Sequence, residues 1–205
     1  MLFGTRKPAA YWYLGAEALA VAVVRPTDHE PELLSCWGIE AGPGPGPFAC
    51  GVAEAVEAVG AAALRHVVAV DRRYTRLLGE VDALALAADA TTVAVAVEGR
   101  PDLTVVAERA ALDHVVRVFA RVGLRLADVD AEDCALASLA TALGGDGRCG
   151  DIADVRADRS RHDALSAVSV DKVAEEQAVR IAGLLAVPIG LAVSRLSDGG
   201  DVDEV

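Results

Sequence analysis

The sequence predicts an α/β fold in which a mixed sheet opens with an antiparallel three-strand meander and is flanked by helices. Runs of aromatic, β-branched and Leu residues cover 11–14, 19–24 and 33–39, and each run is bounded by Gly or Pro clusters, as strands commonly are. Hydrophobic residues make up 53% of the chain and aromatic residues only 4%. Such a content of small aliphatic side chains suits tightly packed layers of helix and sheet.

The middle of the chain predicts further strands and helices in alternation. Residues 52–64 form an Ala-rich helix pattern with apolar residues at three- and four-residue steps, and 66–70 is a short apolar run typical of a buried strand. Residues 91–97 are rich in β-branched side chains and predict another strand. We expect a turn at 99–102, and 103–106 is a candidate strand.

The clearest helix pattern covers residues 107–122. Gly123 follows as the expected residue just beyond the helix end, where glycine is favoured. A strand at 124–129 and a second helix at 131–143 come next. The first of these helices has an apolar face that is expected to pack on the sheet, made of Leu112, Val115, Val116, Phe119 and Val122.

These patterns divide the chain into a lobe and a closing segment. The lobe covers 1–143, and a polar stretch crowded with Asp and Arg covers 144–169. Residues 170–197 predict one long closing helix that packs back on the lobe, and 198–205 form an acidic tail. Pro188 lies inside the closing helix, where a kink is expected because proline removes a backbone donor and crowds the preceding turn.

Composition excludes several classes of function. A formal net charge of -12 opposes binding to phosphate backbones or to anionic lipid. The four cysteines are far apart with no C-x-x-C pair, so we expect reduced, buried thiols and no zinc site. The chain of 205 residues is long enough to bury a core without a disulfide or a metal. No apolar run is long enough to cross a membrane.

Candidate catalytic groups are sparse. Asp128 and Asp130 stand at a predicted strand end, where nuclease carboxylates can converge on Mg²⁺, but Asp130 also suits the N-cap of the following helix. The four histidines share no metal-ligand spacing. Neither GxxxxGK[ST], GxSxG nor GxGxxG occurs. The sequence therefore predicts no catalytic residue and no metal ligand, and points away from an enzyme.

In their order along the chain these pieces resemble the PilM family of actin-like (ASKHA) proteins, with its relatives MshI and GspL, which belong to type IV pilus and type II secretion assembly. Residues 14–23 and 37–40 are similar to the family's opening strands. Residues 93–136 are similar to its strand, helix, "AGL" turn and "VD-x-E-x-x-AL" helix start, and 189–195 to its closing "GLALR" helix. The resemblance implies an actin-like, ribonuclease H-like lobe.

The chain departs from the family where a nucleotide would bind. Tyr13 stands where the family has an Asp before the glycine of its phosphate hairpin, and Ala20 stands where a Lys is usual. Gly15 and Ala16 are the residues that the resemblance assigns to a degenerate phosphate hairpin. The second glycine-rich phosphate strand has no match after residue 144, so 144–169 could be a reduced remnant of a second lobe. We therefore expect no cofactor.

The resemblance implies a non-enzymatic cytoplasmic scaffold of a pilus or secretion assembly platform. Its expected partner is a PilN-like inner-membrane protein, whose cytoplasmic peptide would dock in a groove or add a strand to an exposed sheet edge. The chain itself would reach the membrane only through that partner, and no nucleic acid is expected. A nucleotide-binding actin-like ATPase and an unrelated α/β dimerisation module, hence a homo-oligomer, are the alternatives.

Overall fold

The computed structural model describes residues 7–15, 18–27, 30–40, 48–79, 91–97, 100–144 and 163–197. Nine strands and five helices are assigned within these ranges. The strands are β1 Ala9–Leu14, β2 Ala18–Arg25, β3 Glu32–Glu40, β4 Arg65–Val70, β5 Thr75–Gly79, β6 Thr92–Val97, β7 Arg100–Glu108, β8 Leu126–Ala131 and β9 Ser169–Val170. The helices are α1 Phe48–Val59, α2 Arg109–Arg121, α3 Glu132–Ala142, α4 Glu175–Arg180 and α5 Ala182–Ser197, with a 3-10 turn at Ala164–Ala167.

The main sheet has the strand order β8-β4-β1-β2-β3-β9 within the described chain. The predicted meander is confirmed, because β1 pairs antiparallel with β2 and β2 antiparallel with β3. β1 is parallel to β4, and β4 is parallel to β8. The carboxyl ends of these three strands therefore lie at one edge of the sheet, and their amino ends lie at the opposite edge.

A second, antiparallel sheet is formed by β5, β7 and β6, in that order, in the described ranges. The turn predicted at 99–102 is wrong over its described part, because β7 already begins at Arg100. Val97 pairs with Arg100, and the register shifts between Ala96 and Val97. The chain therefore reverses before Arg100, earlier than the Pro101 signal indicates.

Helices cover both faces of the main sheet. Trp12 and Val68 point toward α1 and α2, whereas Tyr11 and Val67 point toward α3 and α5, as strand alternation requires. The predicted apolar face of α2 is partly wrong: Phe119 is fully buried, but Val116 is 49% exposed and Val118 is buried in its place. The sheet contacts the helix face centred on Phe119. The apolar repeat of α2 was therefore predicted correctly, but the buried face is turned from Val116 toward Val118.

The closing segment differs from the single helix that the sequence predicts. β9 and a turn come first, then α4, and α5 begins after a break at Ile181. Pro188 lies inside α5 and does not mark this break. α5 packs against α3, β1 and β2. No helix in the described ranges is long and apolar enough to cross a membrane.

Candidate functional site

Gly15, which the resemblance assigns to a phosphate hairpin, lies at the carboxyl end of β1, and a tyrosine ring lies against it. Gly15 directly follows β1, and its N–H donates to the carbonyl of Ala18 at 2.9 Å. A Cβ at Gly15 would lie 2.3 Å from the Cζ and hydroxyl oxygen of Tyr13. The Tyr13 ring thus lies against the Gly15 backbone, and any larger residue there would displace the ring. Ala16, the second residue assigned to this hairpin, lies outside the described residues.

A buried carboxylate holds the Tyr13 ring in place. The Tyr13 hydroxyl donates to Oε2 of Glu132 at 3.1 Å, and the backbone N–H of Arg72 donates to the same oxygen at 3.1 Å. Glu132 is 0% exposed and lies in the first turn of α3, where the helix dipole favours a negative charge. The carboxyl ends of β1 and β4 and the start of α3 are therefore linked through one acidic group.

Asp71, directly after β4, forms its hydrogen bond and ion pair with Arg73 of the same loop. Its Oδ1 accepts the backbone N–H of Arg73 at 2.8 Å, and its Oδ2 forms an ion pair with the Arg73 guanidinium at 3.2 Å. The carboxylate is buried. These contacts with Arg73 shape the turn after β4.

The Asp128 and Asp130 pair considered for a nuclease forms an ion-pair cluster instead. The Arg195 guanidinium of α5 lies 2.7 Å from Asp128 Oδ2 and 3.2 Å from Asp130 Oδ2. Burial raises the pKa of Asp130, and the N–H of Ala131 and the charge of Arg195 act against that rise. The N-cap expectation for Asp130 is wrong, because Ala131 occupies that position. The pair thus anchors α5 to β8.

No group of three or more His, Cys, Asp or Glu side chains within the described ranges could hold a metal ion. Cys36 is buried, and burial raises the pKa of its thiol to about 11, which keeps it protonated and unreactive at neutral pH.

Two adjoining cavities share part of their lining, one at the carboxyl end of β1 beside Gly15 and one over the second sheet. The first, of about 350 Å³, is mostly apolar and is lined by Leu14, Gly15, Val70 and the first turns of α2, including His114. The second, of about 380 Å³, is more polar and is lined by residues of β5, β6 and β7 and of the turn before β5. Tyr74, Glu108 and Ala110 line both cavities, and we call the combined surface the inter-sheet groove.

The sequence did not identify the groove residues as a site. Tyr74 lies outside every element that the sequence predicts, and Glu108 and Ala110 lie within the helix pattern of 107–122. Nothing in their spacing could have found them, because the groove joins residues of several elements that no motif connects. The groove exists because β7 runs directly into α2 and brings the second sheet beside the end of β1.

No family model matches the sequence, and no curated protein matches it. A solved PilM–PilN type IV pilus biogenesis complex superposes with a TM-score of 0.58 at 14% identity, over 93% of this chain and 99% of that chain. The cytoplasmic domain of EpsL, an inner-membrane component of the type II secretion system of Vibrio cholerae, is 12% identical with a TM-score of 0.46, over 63% of this chain and 59% of that one.

A Bacteroides thetaiotaomicron protein with an actin-like ATPase fold and unknown function is 7% identical with a TM-score of 0.46, over 68% of this chain and 57% of that one. This chain thus spans less than two thirds of the last two structures. The first superposition shows a shared fold. The resemblance to PilM-like, actin-like proteins that the sequence carries is confirmed at the level of the fold.

Proposed function

We propose that the chain is a non-enzymatic scaffold of a pilus or secretion assembly platform and that it docks a peptide of a PilN-like inner-membrane partner in the inter-sheet groove. The observation that carries the proposal is the groove itself, which adjoins Gly15 in a chain whose fold matches one described as part of a PilM–PilN complex. The chain would then lie on the cytoplasmic side and reach the membrane through its partner.

The groove has the chemistry that a short peptide needs. Its inner part presents Leu14, Val70 and Val115, which would accept an apolar side chain. Its outer part presents the exposed side chains of Arg76 and Glu108 and the half-buried Thr92, which supply hydrogen-bonding groups for a peptide backbone or a polar side chain. Ligand sites usually combine an apolar floor with a few polar groups in this way.

The second sheet offers the peptide a further contact. β7 lies between β5 and β6, so within the described residues β5 and β6 each have one edge without a neighbouring strand. An extended peptide in the groove could pair with such an edge through its backbone, which is the usual geometry of strand addition. Groove docking and strand addition are therefore parts of one contact.

The Tyr13 ring argues against a nucleotide at this site. A phosphate approaching Gly15 would meet the ring, and the ring is held by the bond from its hydroxyl to Glu132. Movement of the ring would leave the buried Glu132 carboxylate with one donor fewer, which costs about 1–3 kcal/mol. This supports a binding role over the alternative of an actin-like ATPase.

Blocking the groove tests the proposal. The partner in the experiment is a synthetic peptide with the cytoplasmic N-terminal sequence of the PilN-like protein encoded in the same genome. Titration calorimetry with the unmodified chain should show binding. Ala110→Trp should abolish it, because Ala110 lines both cavities and an indole there fills the groove.

Ala120→Trp is the matched control. Ala120 is exposed on the same helix and lines neither cavity, so this variant should bind as the unmodified chain does. Equal binding by both Trp variants would place the peptide elsewhere, and no binding by the unmodified chain would remove the proposed partner.

A further inference from the structure

Exposed basic side chains gather at the amino ends of the parallel strands, at the sheet edge opposite Gly15. Lys7 lies two residues before β1, Arg65 is the first residue of β4, and Arg125 directly precedes β8. Arg121 lies in the last turn of α2, which leads into β8. All four side chains are exposed. We call Lys7, Arg65, Arg121 and Arg125 the cationic end.

The strand register brings these residues close together. Ala9 pairs with Arg65 and His66 pairs with Leu126, so the starts of β1, β4 and β8 are adjacent. Neighbouring strands lie about 4.8 Å apart, so one short ligand can reach Lys7, Arg65 and Arg125 at the starts of these three strands. None of the four side chains forms an ion pair with a described residue.

The basic side chain at the end of β2, on the same edge, is already paired. Arg25, at the end of β2, forms an ion pair with Glu32. Arg195, on α5, pairs with Asp128 and Asp130 in the middle and toward the carboxyl end of β8, so it is not part of this edge. Among the residues that the structure describes, no ion pair compensates the cationic end, although the formal net charge of the chain is -12.

We propose that the cationic end docks a short acidic segment of a partner protein. Charge complementarity identifies the occupant as anionic, and the remaining charge of the chain limits its size. A membrane or a nucleic acid duplex would extend beyond four basic side chains and meet the acidic remainder of the surface, which would repel it. A short acidic peptide covers the cationic end alone.

This surface is separate from the inter-sheet groove, so the inference goes beyond the function proposed for the groove and does not depend on it. The groove adjoins the carboxyl end of β1 at Leu14, and the cationic end lies before its amino end at Ala9. A strand of six residues spans roughly 20 Å. Two partners therefore fit on one copy of the chain.

Fluorescence anisotropy with a labelled hexaglutamate peptide tests this inference on the full chain. Binding should be measurable at low ionic strength and should weaken as salt is added, because exposed charges are screened over about 10 Å at 0.1 M salt. Arg65→Glu combined with Arg125→Glu should weaken it roughly tenfold or more. Lys172→Glu combined with Arg180→Glu is the matched control, since it makes the same charge change on exposed positions around α4, and it should retain binding.

Further measurements distinguish an acidic partner segment from the other possible ligands of the cationic end. Binding to anionic phosphatidylserine vesicles without binding to hexaglutamate would overturn the proposal in favour of a membrane contact. Binding that emerges only after Asp198, Asp201, Asp203 and Glu204 are changed to their amides would overturn it in favour of the chain's own acidic residues. If both charge-reversed variants bind hexaglutamate equally weakly, the binding depends on the net charge of the chain and not on the cationic end, which would also overturn the proposal. A melting curve of each variant confirms that it is folded.

Discussion

At the scale of single residues, two buried side chains of β1 each donate a hydrogen bond, one on each face of the sheet. Tyr13, on the α3 and α5 face, donates its hydroxyl to Glu132. Trp12, on the opposite face, donates its Nε1 proton to Nδ1 of His66 at 3.1 Å, and its ring meets Phe119 edge-to-face at a centroid distance of 5.2 Å. Each bond joins β1 to a residue distant in sequence, so each helps to define the packing of its face.

The bond between Tyr13 and Glu132 predicts a difference between two otherwise equal substitutions. Tyr13→Phe removes a donor from a buried carboxylate and should destabilise the chain by about 1–3 kcal/mol. Tyr11→Phe is the control: Tyr11 is buried on the same strand face, but its hydroxyl makes no hydrogen bond with a described residue. Urea melts of both variants give the comparison, and an equal loss in the two would mean that the Glu132 contact contributes nothing.

His66 predicts a loss of stability at mildly acidic pH. Burial lowers the pKa of its imidazole from the ordinary 6.5, and the bond from Trp12 requires an unprotonated Nδ1. The unfolded chain therefore binds a proton at a higher pH than the folded chain, so stability falls as pH drops below about 6.5. The slope from this group is at most about 1.4 kcal/mol per pH unit.

The matched variant for this pH effect is His66→Gln, which lacks the titrating group. Urea melts at pH 7.5 and pH 5.5 should show a smaller loss in the variant than in the unmodified chain. If the two chains lose stability in parallel, His66 is not the source of the dependence.

At the scale of elements, the contact between α5 and α3 depends on a glycine. A Cβ at Gly190 would lie 2.1 Å from the carbonyl oxygen of Ala135 and 3.1 Å from the Cβ of Leu139. The two helices therefore approach backbone to backbone. Arg195 fixes the far end of α5 to Asp128 and Asp130. The close approach and the ion pairs together hold α5 against this face of the sheet.

Two glycines of α5 predict opposite effects of one substitution. Gly190→Ala should destabilise the chain by about 1–3 kcal/mol or more, because the methyl group meets backbone that cannot move independently. Gly183→Ala should be neutral or stabilising by up to about 1 kcal/mol, because a Cβ there meets nothing within 4 Å and alanine favours helix. Chemical unfolding measures both, and a tolerated Gly190→Ala would mean that the helices are farther apart.

At the scale of the whole molecule, the strand arrangement separates two surfaces. The parallel strands β1, β4 and β8 direct their carboxyl ends toward the inter-sheet groove and their amino ends toward the cationic end. The second sheet, inserted between β4 and β8 along the chain, completes the groove. Under the two proposals made above, each of these surfaces would take one partner.

The Tyr13 ring beside Gly15 predicts that Mg-ATP does not stabilise the molecule. A ligand at one hundred times its Kd would add about 2.7 kcal/mol to the free energy of unfolding. Thermal melts with and without millimolar Mg-ATP should coincide, because the Tyr13 ring covers Gly15. A clear rise in melting temperature that is absent with Mg²⁺ alone would instead support the nucleotide-binding alternative.

The sequence by itself determined the local structure. Residues bounded by Gly and Pro clusters formed the meander, and the apolar period placed Val115 and Phe119 in the core. Gly123 has φ +77 directly after α2, as its position predicted. The resemblance to PilM-like proteins also indicated the correct fold. These features are set by short-range sterics and by the alternation of apolar side chains, which a sequence displays directly.

Only the tertiary structure decided what the polar residues do. Asp130 suited an N-cap as well as a metal site, and Arg195, 65 residues away, makes it an ion-pair partner. In the sequence, Tyr13 stands where the resembled family has an Asp. In the structure, its hydroxyl donates a hydrogen bond to Glu132 at the start of α3. The groove joins residues of two sheets that no spacing connects. Such roles depend on which distant groups lie within a few ångströms, and only the packing of the chain sets those distances.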